Sequence, residues 1–289
     1  PFFWNDFDIR VEGGHLIDSN QIVVAKNLSE CPAGSVSITI TYKRKEGFTS
    51  TKSIDLISNK IFVFGANGGD GQNGFNGNSG SSGSSAINNT PCQNGSHGNH
   101  GYDGHNGYDG HNVDIYIRKE PGKLLNKNLC QIHVHDLTTG YRRNYILDAA
   151  SSSLSVFANG GDGGNGGDGG RGGNGGEDNR NSENRERCLG GNGGDGGNGA
   201  NGGNGGQIRI FADTSVNITQ LQLRTYNYGG KTGIGGDAGR AGDGMGTRQS
   251  SQRRNNAAIP GRPGRNGYQG MNGPRIETVV QPLDSKLFI

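Results

Sequence analysis

The chain has 289 residues, of which 57 are Gly and only 8 are Pro; it is 29% apolar and carries a net charge of +2. Globular domains are about 45–50% apolar, so a conventional core sized for this length is excluded, and no run of about 18 apolar residues exists to cross a membrane. The near-neutral charge neither forces an open chain nor asks for nucleic acid as a partner.

Taken in chain order, the sequence starts at Pro1 rather than Met, which marks a processed product or a fragment. "PFFWNDFDIRVEGG" holds the only Trp and three Phe. It reads as an apolar strand, Phe2–Val11, that either completes its own sheet or inserts into a neighbouring copy. Alternating Val36, Ile38, Ile40 and Tyr42 mark another strand, and Ile61–Phe64 closes a β-rich base over 1–64.

Glycine then takes over at every third position. The first hairpin, 65–112, has Gly65, Gly68, Gly71, Gly74, Gly77 and Gly80 going out. Gly95, Gly98, Gly101, Gly104, Gly107 and Gly110 come back, around an apex "SSAINNTPCQN". "VDIYI" (Val113–Ile117), "QIHVHDL" and "LSVFA" return the chain to a β-rich base over 113–158. The second hairpin, 159–206, doubles its glycines in 160–176 and 190–206, with Asn or Asp at nearly every third residue and the apex "EDNRNSENRERC". "QIRIFA" and "LQLRTYN" give base strands over 207–228. The third hairpin, 229–274, carries Gly230 to Gly242 and Gly261 to Gly273 around "TRQSSQRRNNAAIP", and "RIETVV" opens the last base segment, 275–289.

A period of three is that of the left-handed polyproline-II type helix, which makes no internal hydrogen bonds. Its Gly ridge lets another backbone approach, and its buried N–H and C=O groups must pair with neighbouring helices. The doubled glycines of the second hairpin allow contact on two sides; the single ridge of 95–110 places that block at an edge. The fold class expected is an all-β base plus a bundle of six antiparallel polyglycine-II helices, one interleaved unit with essentially no α-helix. Ordering a residue costs about 1–2 kcal/mol and a hydrogen bond returns about 0.5–1.5, so the bundle needs help. The four cysteines lack zinc spacing. Their placement suggests Cys92–Cys188 between apices and Cys31–Cys130 in the base, each stabilising by about 4–5 kcal/mol in the chain-entropy model.

Other readings of the glycine fit less well. Collagen needs abundant Pro, a disordered linker would not keep register with flanking strands, "FGANGGDG" is followed by no helix to cradle a phosphate, and the β-roll repeat lacks its large apolar residue. In its antiparallel three-residue Gly blocks the chain resembles the snow-flea type of glycine-rich antifreeze protein and the glycine-rich tip adhesins of phage tail fibres. The resemblance covers the six blocks, roughly a third of the chain; the β-rich base and the Asn/Asp preference depart from both. It implies a packed polyglycine-II bundle with either an ice-binding face or receptor-binding loops.

Block two, "GSHGNHGYDGHNGYDGHN", carries four of the seven histidines. Threefold geometry stacks Tyr102, His105, Tyr108 and His111 about 9.3 Å apart per turn, with Asp103, Asn106 and Asp109 in the next column. That stripe suits a sugar, a neighbouring subunit or a solvated edge; the spacing is too long for one metal ion. Arg180, Arg185, Arg187, Arg248, Arg253 and Arg254, with Arg262 and Arg265, make the far end a candidate for acidic polysaccharide or anionic surfaces, diluted by Glu177, Asp178, Glu183 and Glu186. His133 and His135 share one strand face. No catalytic constellation stands out and no cofactor is expected. Sequons at Asn27, Asn88, Asn94 and Asn217, with an even cysteine count, point to an extracellular setting. The function expected is a non-enzymatic structural or adhesive protein that presents polar apices and self-assembles into a fibre or matrix. Ice binding and a receptor- or glycan-binding tip are the alternatives.

Overall fold

The computed structural model describes residues 6–17, 21–24, 31, 35–44, 47–55, 59–87, 90–119, 128–177, 188–244 and 258–288. The N-terminal part holds β1 (Phe7–Glu12), β2 (Gly14–Ile17), β3 (Gln21–Val24), β4 (Ser35–Tyr42) and β5 (Thr49–Asp55). β1, β4 and β5 form an antiparallel sheet and β2 pairs with β3. Alternation sorts the two faces of the first sheet: Phe7, Ile9 and Val11 stand opposite Tyr42, Ile40 and Ile38, while Ser37, Thr39 and Thr41 join hydroxyls with Ser53, Thr51 and Thr49. The turn from β1 to β2 needs Gly13: its φ is +82°, and a Cβ there would meet Ser35 O at 2.8 Å. Of the segment Phe2–Val11 expected as a candidate donor strand, residues 1–5 lie outside the described residues and Phe7–Val11 pairs with β4 of the same chain.

The main core lies between two further sheets. β6 (Ile61–Gly65), β10 (Ser153–Phe157) and β12 (Gln222–Tyr226) form a parallel sheet in the order β12-β10-β6. β7 (Val113–Lys119), β8 (Leu129–Asp136), β9 (Arg142–Asp148), β11 (Ile208–Ala212) and β13 (Glu277–Val280) form the other, in the order β13-β11-β7-β8-β9. Inward Phe64, Leu154 and Val156 of the first sheet and Val113, Ile115, Val134 and Ile208 of the second belong to one buried cluster. Among the described residues there is no α-helix; short 3-10 turns cover Ile218–Gln220 and Ser285–Phe288. The expected strands are found, and β2, β3, β5 and β9 add to them.

Six glycine-rich runs continue these strands. The first (66–86), third (158–177) and fifth (227–244) leave β6, β10 and β12; the second (92–112), fourth (188–207) and sixth (258–274) enter β7, β11 and β13. The first, third and fifth pair in parallel, as in Gly71 N–H to Asp162 O (2.8 Å) and Gly163 N–H to Lys231 O (2.9 Å). The second, fourth and sixth do the same, as in Gly101 N–H to Asp195 O and Gly196 N–H to Arg262 O, both 2.8 Å. Between these layers the pairing is antiparallel: Gly164 N–H reaches His105 O, and Ala200 N–H reaches Gly164 O, each at 2.9 Å. Each sheet of the sandwich therefore runs on into one layer of glycine-rich chain, and each glycine hairpin carries the chain from a strand of one sheet to a strand of the other: β6 to β7, β10 to β11 and β12 to β13.

The central runs show why glycine is doubled. A Cβ on Gly163 would lie 2.3 Å from Ala200 O, and one on Gly164 would lie 2.0 Å from Gln72 O. Two neighbouring backbones press on two successive residues, so neither can carry a side chain. The third residue of each triplet faces outward, and its Asn or Asp is itself part of the hydrogen bonding. Asp162 N–H donates to Asp70 Oδ1 (2.8 Å) and Asp162 Oδ1 accepts from Lys231 N–H (2.7 Å). All three N–H groups of Asp162–Gly163–Gly164 are thereby satisfied, each by a different neighbouring run.

Cys92 and Cys188 are disulfide-bonded, 96 residues apart, and cluster with Ala86 at the end of the runs remote from the sandwich. The expected Cys31–Cys130 bond is corrected. Cys130 is buried in the sandwich core on β8, whereas the buried Cys31 donates through Sγ to Gly13 O (3.4 Å) beside the N-terminal sheet. The two thiols belong to different packing units and are not joined.

Candidate functional site

The residues expected to form one stripe on the second run divide between two roles. Asp103, Asn106 and Asp109 face the fourth run, where each Oδ1 accepts a backbone N–H from Asn198, Asn201 and Asn204 at 2.6–2.9 Å. Two histidines of the same column act likewise: His97 Nδ1 accepts from Asn192 N–H and His100 Nδ1 from Asp195 N–H, both at 2.8 Å. These side chains hold the even-numbered layer together.

The other column turns to the open edge of the bundle. Tyr102 and Tyr108 are 67% and 72% exposed, while their N–H groups are fixed on Phe75 O and Gly69 O of the first run at 2.9 Å. His105 lies between them, its N–H on Gln72 O (2.8 Å). The Tyr108 ring reaches over Gly69, whose Cβ position is 3.7 Å from Tyr108 Cδ2. Phe75, 81% exposed, joins this edge from the adjacent run. Sequence reasoning missed it, although the hairpin register that pairs Tyr102 with Phe75 was available from the glycine frame. His111 leaves the column: its Nδ1 bonds Asp136 Oδ2 (2.7 Å) where the bundle meets β8.

The edge therefore offers three exposed aromatic rings, Phe75, Tyr102 and Tyr108, on two runs joined by backbone hydrogen bonds. Such rings can stack on the apolar faces of sugars, with neighbouring polar groups left to bond hydroxyls. Phe64 and Tyr141 stack at 5.9 Å between centroids, and Phe157 and Tyr226 at 4.7 Å; these pairs support the sandwich.

The remaining candidates are scattered. Among the described residues no group of three His, Cys, Asp or Glu side chains converges on a metal position, and no helix is long and apolar enough to cross a membrane. Asn27 and Asn88 lie outside the described residues, as do Asp178, Arg180, Glu183, Arg185, Glu186, Arg187, Arg248, Arg253 and Arg254. Arg262 and Arg265 are exposed on the sixth run, with their backbone N–H groups on Asp195 Oδ1 and Asn198 Oδ1. The exposed Asn94 accepts from Leu189 N–H, and Asn217 accepts from Thr219 N–H and Oγ1–H of its own sequon. His133 is not on an open face: it is 8% exposed, under the C-terminal turn. No protein-family model, curated protein or solved structure matches the chain.

Proposed function

We propose that this chain is a non-enzymatic extracellular adhesive protein that binds carbohydrate along the edge formed by Phe75, Tyr102 and Tyr108. In this reading the six runs are polyglycine-II helices, as in the antifreeze and tail-fibre tip proteins that the glycine blocks resemble. The observation that carries it is the exposure of three aromatic rings on a backbone tied down at every turn. Preorganisation of this kind lowers the cost of ordering on binding. The Cys92–Cys188 disulfide supports an oxidising compartment.

A glycan array with the whole chain is the test. A set of related glycans should be retained, and Tyr102→Ala with Tyr108→Ala should abolish retention while the melting temperature stays within a few degrees. No retained glycan, or retention untouched by the double variant, rejects the reading.

Ice binding is the second reading, favoured by the regular columns of outward residues that each layer presents. The columns carry Asn and Asp whose oxygens are engaged by backbone N–H groups, not the Thr, Ala or Val of a mildly polar face. Thermal hysteresis at micromolar protein would favour ice over sugar. Self-assembly into a fibre or matrix is a further part of the proposal, checked by electron microscopy of the purified chain.

A further inference from the structure

The outer face of the five-stranded sheet carries a pocket of about 240 Å³, floored by Tyr116, His133 and His135 and walled by Arg142 and Arg143. The C-terminal segment closes it. Leu283 N–H bonds Asp213 Oδ2 (3.1 Å), Phe288 packs near His133 (6.5 Å between centroids) with Arg118 stacked 4.4 Å over its ring, and Lys286 thereby reaches the rim.

Charge in this pocket is unbalanced. Asp114 faces it from β7 but is held by both guanidinium nitrogens of Arg209 at 2.8 Å and by Tyr116 Oη–H at 3.1 Å. Asp136 is engaged by Thr138, Thr139 and His111, and Asp284 caps the turn through Lys286 N–H. Arg142, Arg143 and Lys286 have no carboxylate partner among the described residues. His133 adds a second, independent sign. It is 92% buried by area, given its 8% exposure, and its Nδ1 donates to Asn144 Oδ1 (2.5 Å). His133 lines the pocket, and its Nε2 has no hydrogen-bond partner among the described residues. Buried polar atoms left so are uncommon. Burial first, then the charge of Arg142 and the neighbouring His133, hold the His135 pKa below its ordinary value, with Asp114 and Asp136 pulling the other way; the local potential is positive.

We propose that this pocket binds a compact tetrahedral oxyanion, a sulfate or phosphate group, free or as the monoester of a larger molecule. Arg142 and Lys286 neutralise the charge, Arg143 completes the wall, and the buried His133 forms the floor.

Calorimetric titration of the whole chain with sodium sulfate at low ionic strength tests this, with glucose 6-sulfate as the ester probe. One saturable site is expected. Each charge-assisted bond lost costs about tenfold, so Arg142→Gln with Lys286→Gln, both at exposed positions, should weaken binding at least tenfold. Lys231→Gln, on the glycine bundle, should leave it unchanged. Equal binding of ester and free sulfate assigns the pocket to an ester group; sulfate alone assigns it to the free ion, and either supports the proposal. No saturation by about 50 mM sulfate or an unaffected double variant overturns it.

Discussion

The backbone N–H of Asn159 donates to the side-chain Oδ1 of Asn67 at 2.9 Å, across 92 residues of sequence. That offset is the one at which β10 pairs with β6, Ser153 opposite Ile61 and Phe157 opposite Gly65. The 95-residue offset between β7 and β11 likewise persists from Val113–Ile208 to Asn94 and Leu189. Sheet and bundle are one hydrogen-bonded lattice in which the side-chain donors and acceptors change and the register does not. The one slip lies between the fourth and sixth runs: Tyr268 meets Asn201 at an offset of 67, yet Arg209 pairs with Glu277. Asn227 bridges it, with Nδ2 on Gly206 O (3.2 Å) and Pro274 O (2.9 Å).

The Asn/Asp column makes the first prediction. Asn165 Oδ1 accepts from Ile234 N–H at 2.8 Å, and Asn165 N–H donates to Asn73 Oδ1 at the same distance. Asn165→Ala removes the acceptor for Ile234 at an exposed position, where water can take its place, and should cost about 0.5–1.5 kcal/mol, the net worth of one hydrogen bond. Asn165→Asp should be near neutral, because Asp162 and Asp168 already perform this task for Lys231 and Asp237. Amide exchange reads it out directly: Ile234 should lose protection in the alanine variant only. An unchanged Ile234 amide would remove the side-chain oxygen from the account of stability.

Glycine positions separate into those that touch backbone and those that do not. A Cβ on Gly164 would stand 2.0 Å from Gln72 O, whereas one on Gly69 meets nothing nearer than Tyr108 Cδ2 at 3.7 Å. Gly164→Ala should destabilise by about 1–3 kcal/mol through overpacking. Gly69→Ala should be neutral or stabilise by up to about 1 kcal/mol, since it removes freedom from the unfolded chain. The lattice does yield to an occasional methyl: Ala200, 7% exposed, keeps its bond to Gly164 O at 2.9 Å. Denaturant midpoints of the two variants settle the contrast, and equal midpoints would refute it.

Much of this architecture was legible because glycine periodicity and strand alternation are local signals. The three-residue frame located all six runs, doubled glycines marked the central third and fourth, and the single ridge of 95–110 marked the second run, which lies at the end of its layer. The Cys92–Cys188 pairing followed from both residues lying in apices. Cys31 and Cys130 were misjudged because both lie in β-rich sequence, and nothing local distinguishes the sheet beside Gly13 from the sandwich core. The role of Asn and Asp was missed for a related reason: an acceptor 92 residues from its donor leaves no mark on either triplet. The pocket under Lys286 likewise exists only once distant strands are laid side by side.

Asp136 links the bundle to the sandwich, and acid should loosen that link. It is 4% exposed at the end of β8, where it accepts from Thr139 Oγ1–H and His111 Nδ1 at 2.7 Å and from Thr138 N–H at 2.9 Å. Burial pushes its pKa up, but the bonds from Thr139, His111 and Thr138 outweigh burial and hold it below the ordinary carboxylate value. A folded-state pKa below the unfolded one means the unfolded chain binds protons first as pH falls. Stability from this group is therefore complete above the unfolded value, about 3.9, and drains away as pH drops through the lower folded value. Asp136→Asn should cost about 1–3 kcal/mol near neutral pH, and the gap to wild type should narrow as pH falls below about 4. Urea midpoints measured across that range give the answer: a gap that stays constant into acid would show that the carboxylate charge contributes nothing at this junction.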